Sequence, residues 1–174
     1  MSVELDMNMI CIIQGAFSTL PILCLKGGYK IIVNFLGQPS AGKTTLAMLV
    51  AGLLKLEGSS KCEYVPEYAK DLTWENRQDI LKNQIYVFGK QLNRIERVYH
   101  KVNIVVTDSP LLTNLAYCDN ECDDFKTLVL RKHHGFENIN YFLTRIKDYD
   151  PIGRNQSADE ARVLHDKIEK NSLD

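Results

Sequence analysis

Two near-continuous apolar runs divide the chain. Ile31-Ile32-Val33-Asn34-Phe35-Leu36 and Val102-Asn103-Ile104-Val105-Val106-Thr107 have the length and β-branched content of strands buried on both faces. Shorter runs at residues 61–65 and 138–143 predict two further strands. Between them the apolar spacing changes to that of helices. Residues 45–54 read as one helix. From Trp74 to Lys101, apolar residues at Ile80, Leu81, Ile85, Val87, Phe88, Leu92, Ile95 and Val98 predict a helix or a pair of helices. Residues 111–118 and 124–135 read as two more, with Gly135 as a stop. Ser157 and Glu160 open another, running to about residue 170, as a capping box. Strands alternating with helices predict an α/β fold, a parallel sheet with helices on both faces.

The joint between the first strand and the first helix carries the chemistry. Gly37-Gln38-Pro39-Ser40-Ala41-Gly42-Lys43-Thr44 fits G-x-x-x-x-G-K-[ST] without a mismatch, in the strand–loop–helix context the motif requires. In such a loop successive backbone N–H groups point inward and cradle phosphates, and the helix start adds further N–H groups and the positive dipole end. Gly37 and Gly42 fall where a Cβ would clash or φ is unusual. The expected cradle is Gly37, Ser40, Ala41, Gly42, Lys43, Thr44 and Thr45. Lys43 reaches the β/γ-phosphates and the Thr44 hydroxyl ligates Mg²⁺. The second apolar strand ends at Asp108-Ser109-Pro110, and a carboxylate there completes the Mg²⁺ shell. ATP and Mg²⁺ are therefore the expected cofactors. A guanine-nucleotide switch is unlike this chain: Asp108-Ser109-Pro110-Leu111 lacks the expected glycine, and Thr144-Arg145-Ile146-Lys147 is not a guanine motif.

A phosphotransferase also needs an acceptor side. Glu67 follows a strand whose C-terminal end faces the ligand side of an open α/β sheet, which suits a general base or acceptor-hydroxyl ligand. Arg145 and Arg154, in a polar loop at about residues 145–156, are placed to act as a lid that neutralises the transferring group, with Lys147 a weaker third cation. Gln84, Gln91 and Arg94 on the long helical stretch are candidates to hydrogen-bond an acceptor base or sugar. The bland readings are a solvated loop and an ordinary polar helix face.

Composition adds bounds. The 174 residues suit one domain, and a net charge of −1 argues against bulk nucleic-acid or membrane binding while leaving room for a strand held in a local basic cleft. Five cysteines at irregular spacings predict free cytosolic thiols and a cytoplasmic protein. Cys118 and Cys122 with His133 and His134 do not have a common zinc spacing. Residues 1–28 form an N-terminal extension, read either as an added hairpin or strand or as a poorly ordered or non-native start. Glu4 and Asp6 stand where a signal peptide has positive charge, and polar residues break any membrane span. The domain proper is expected at residues 29–174.

Gly37–Thr44, Val65-Pro66-Glu67, Asn83-Gln84, Asp108-Ser109-Pro110 and Arg145 with Gly153-Arg154 resemble the P-loop nucleoside and nucleotide kinase superfamily. The similarity is closest to the AAA-type ATPase/kinase domain related to ribosylnicotinamide kinase, small phage kinases included. The resemblance covers about residues 29–170. It implies a sheet of order 2-3-1-4-5, a last strand missing from this chain, and transfer of the ATP γ-phosphate to a hydroxyl of a nucleoside, nucleotide or related small molecule. It also implies Glu67 as base, Gln84 as base-contacting residue, and Arg145 and Arg154 as lid arginines. The acidic-Arg-Ser motif of deoxynucleoside kinases is Asp108-Ser109-Pro110 here, without the arginine. Two alternatives stand beside the small-molecule kinase: a kinase acting on a modified base or end of phage nucleic acid, and an ATP-binding regulatory module.

Overall fold

The computed structural model describes residues 30–58, 61–117 and 123–143. The chain alternates as the apolar pattern predicts: β1 (Ile31–Gly37), α1 (Lys43–Glu57), β2 (Cys62–Val65), α2 (Tyr68–Trp74), α3 (Gln78–Leu81), α4 (Gln84–Tyr99), β3 (Ile104–Thr107), α5 (Thr113–Ala116), α6 (Asp123–His134) and β4 (Asn138–Leu143). The four strands form one all-parallel sheet in the order β2-β3-β1-β4. This is the order expected from the resemblance, and it is that of a P-loop NTPase. The lid at residues 145–156, the helix expected at 157–170 and the extension at 1–28 lie outside the described residues.

The two-residue period of β1 explains the layers. Ile31, Val33 and Phe35 point to one face, where Leu46, Ala47, Val50, Ala51 and Leu54 of α1 cover them. Ile32 points to the other, into a cluster with Phe88 and Ile95 of α4 and Phe125 and Val129 of α6. Each large side chain fully buried this way contributes about 1.5–3 kcal/mol. Phe88 and Phe125 meet edge to face at 5.6 Å, tying α4 to α6.

Asn34 is a polar residue inside the central strand, 2% exposed. Its Nδ2 donates to Asn138 Oδ1 and to Asn140 Oδ1, each at 2.8 Å. Asn138 Nδ2 in turn donates to the His133 and Phe136 carbonyls. A one-residue slip of β4 would leave the Asn34 amide buried without partners, so this ladder fixes the β1–β4 register.

The stretch expected to be helical from Trp74 is organised differently. Trp74 ends α2, which begins at Tyr68, directly after Glu67. Asn76 then adopts a left-handed φ of 56°, which no helix interior accommodates. The long helix starts only at Gln84, where the Asn83 side chain caps it by accepting from the Tyr86 N–H. The helix expected at residues 111–118 shrinks to Thr113–Ala116, because Leu111 and Leu112 are buried in the turn that leaves Pro110.

Candidate functional site

The loop between β1 and α1 is held open by three unusual backbone positions. Gly37 has φ 134°, and a Cβ there would sit 2.3 Å from the Leu143 carbonyl oxygen at the end of β4. Ser40 (φ 65°) and Gly42 (φ 84°) are also left-handed. Gly42 is the N-cap of α1 and supplies no side-chain cap, and no acidic residue occupies the first turn. The helix start thus keeps its N–H groups and positive dipole end for an external anion. Lys43 curls back over the loop, its Nζ donating to the Gly37 carbonyl at 2.8 Å and the Gln38 carbonyl at 2.9 Å.

Thr44 and Asp108 meet across the sheet. Thr44 Oγ1 donates to Asp108 Oδ2 at 2.6 Å, within the range of a charge-assisted bond. The turn carrying Asp108 is fixed from beneath: Thr107 Oγ1 donates to the Val65 carbonyl at 2.9 Å and accepts from the Ser109 N–H at 3.1 Å. Asp108 is only 3% exposed, and its second oxygen, Oδ1, is buried with no hydrogen-bond partner. A buried carboxylate oxygen without a donor is costly unless a cation takes it. A hydroxyl and a carboxylate are hard oxygen donors, so the pair fits Mg²⁺, which takes few protein ligands and fills its octahedron with phosphate oxygens and water. Among the described residues no group of three or more His, Cys, Asp or Glu side chains is placed to hold a metal. Cys118 and Cys122 lie outside the described residues.

Tyr64, unremarked in the sequence, stands beside this pair. Burial first, then the nearby charges of Asp108 and Glu67 raise its pKa well above the usual phenol value. The phenol therefore stays protonated beside the carboxylates. No sequence signal marks it, since it sits on β2 and meets Asp108 only once the strands pair.

Glu67 follows β2 and is the N-cap residue of α2. It lines a cavity of about 320 Å³ that also takes in Lys43, Gln84 and Ser109. Lys43 and Glu67 thus face one space. Gln84 is 8% exposed and donates from Nε2 to the Leu81 carbonyl at 2.9 Å. Arg94, expected to touch substrate, does not line the cavity. It bonds to the Pro66 carbonyl at 3.3 Å, forms an ion pair with Asp71, and stacks 5.0 Å from the Tyr68 ring centre. Gln91 is 1% exposed, and its Oε1 accepts from the Tyr68 N–H at 2.9 Å. Both brace the β2–α2 connection from behind Glu67. The twenty-odd residues between partners hid this from a reading by helical spacing. Arg145 and Arg154 lie outside the described residues.

Among the described residues no helix is long and apolar enough to cross a membrane. A family model described as an AAA domain matches residues 32–172, most of the chain. No curated protein matches it.

Proposed function

The chain belongs to the AAA-domain family, and so to the P-loop NTPases that bind ATP, usually with Mg²⁺; from that premise we propose that it is an ATP-dependent kinase phosphorylating a hydroxyl of a nucleoside, nucleotide or related small molecule. The observation that carries the reading is the cavity of about 320 Å³ with the loop lysine Lys43 and the strand-end carboxylate Glu67 both in its lining. Hydrolysis alone needs only room for water beside the γ-phosphate, whereas a cavity of this size has room for a small acceptor.

In this reading the loop N–H groups and Lys43 hold the β- and γ-phosphates, and Gln84 contributes to the acceptor wall. Glu67 accepts the proton of the acceptor hydroxyl as its oxygen forms the new bond to the γ-phosphorus. The bond from that phosphorus to the β,γ-bridging oxygen breaks, and ADP leaves. Bound at Thr44 and Asp108, Mg²⁺ would supply charge neutralisation for the phosphates. Arg145 and Arg154 are assigned to the transferring phosphoryl group. Arg94 acts at one remove, by holding the segment that bears Glu67.

An ADP-release screen over nucleosides, nucleotides, ribosylnicotinamide and oligonucleotides, with Lys43→Ala as control, tests the reading. It expects release that depends on one small acceptor and disappears in Lys43→Ala. Release at one rate whatever is added would contradict it, and response to oligonucleotides alone would favour a nucleic-acid kinase.

A further inference from the structure

The acceptor cavity has an uneven charge. Besides Lys43 its wall includes Lys70 on α2 and Lys82 at the C-terminal cap of α3, against, among the described residues, the single carboxylate of Glu67. Asp71, which follows Lys70 in the chain, and Asp79, three residues before Lys82, are engaged elsewhere. Asp71 is paired with Arg94, and Asp79 with Arg77 at 3.1 Å. Lys55, Lys126 and Lys132 have acidic partners, but Lys70 and Lys82 form no ion pair with any described residue. Lys43 is committed to the loop and to the triphosphate it cradles, so two ammonium groups are left over on the acceptor wall.

We propose that Lys70 and Lys82 make an anion subsite in the acceptor cavity, and that the acceptor is a hydroxyl compound carrying its own phosphate or carboxylate. The inference rests on the kinase reading of the same cavity. An ammonium is a mobile point charge that suits a phosphate or carboxylate approaching from several angles. Lys70 is half-buried and Lys82 exposed, so an anionic group on the acceptor meets both ammonium groups as it enters the cavity, whereas a neutral nucleoside engages neither. The transfer step is unchanged: the free hydroxyl forms the bond to phosphorus, and the anionic group stays intact as a handle.

The test compares nucleosides with their 3′- and 5′-monophosphates and their 5′-carboxylates as acceptors for wild type, Lys70→Ala, Lys82→Ala and Lys70→Arg. An anionic acceptor is expected to show a KM at least about tenfold below that of its neutral parent, the size of one charge-assisted contact. Each alanine variant should raise that KM about tenfold and leave the dissociation constant of ATP alone unchanged, while Lys70→Arg retains most of the selectivity. Equal use of phosphates and carboxylates identifies charge as the recognised property; preference for phosphates identifies the phosphate. A neutral nucleoside used as well as its monophosphates and carboxylates overturns the subsite and leaves the kinase reading standing. If no acceptor accelerates ADP release, the kinase reading fails, and calorimetry with the monophosphates and ADP present decides the subsite separately. Binding that weakens in Lys70→Ala supports it, and binding that is absent or indifferent to both lysines overturns it.

Discussion

Thr44 and Asp108 come from residues 64 apart in sequence, yet the hydroxyl and carboxylate meet at 2.6 Å. Their motifs were legible because each depends on short-range context, a strand end and a turn. Tyr64 and the contacts that Gln91 and Arg94 make with the β2–α2 connection were not, because each depends on a partner fixed only by the tertiary fold. The same holds for His133, which the sequence offered as a remote zinc ligand. It lies buried on α6, and burial, with a smaller contribution from His134, lowers its pKa from 6.5 to about 4. The unfolded chain takes up this proton near pH 6.5, while the folded chain resists until about pH 4. The stability tied to neutral His133 is thus full above about pH 6.5 and declines as pH falls towards 4. Thermal melts should show Tm dropping over that window, and His133→Gln should lose most of this slope. An unchanged slope in the variant would remove His133 as its source.

At the scale of elements, strand positions were read well and the region after β2 was not. Long apolar strands and the P-loop helix carry strong periodic signals, which the sheet and α1 realise. The segment 66–83 has mixed spacing, and its path is decided by Asn76 at positive φ and by contacts to α4. Placing a helix start immediately after Glu67 makes that carboxylate an element-terminal group held from behind by Arg94 and Gln91. Arg94→Ala should therefore cost about 0.5–1.5 kcal/mol in denaturant unfolding, since it strips the half-exposed Asp71 of its guanidinium and the Pro66 carbonyl of a donor. The same variant should raise acceptor KM with ATP affinity unchanged, as expected of a positioning residue. A loss of ATP binding instead would mean that Arg94 belongs to the nucleotide side.

At the scale of the whole molecule, the sheet order β2-β3-β1-β4 places the strands bearing the loop and Asp108 side by side, with β2 and its Glu67 next in line. The C-terminal ends of these strands thereby carry the glycine-rich loop, Asp108 with its Thr44 partner, and Glu67, and Lys43 and Glu67 line one cavity. Alternating strands and helices made the α/β class legible, and the family match at residues 32–172 agrees with it. Which compound fills the cavity was not legible, because its wall is assembled from α2, α3, α4 and the turn after β3, segments that no single motif joins. In the proposed kinase, Glu67 serves the acceptor and not the nucleotide. Transfer of labelled γ-phosphate to the best acceptor of the screen, measured beside ATP affinity in wild type and Glu67→Gln, tests it most directly. ATP binding within about twofold of wild type is expected, with transfer reduced at least about 100-fold, the lower range of general-base contributions. Undiminished transfer in Glu67→Gln would contradict it.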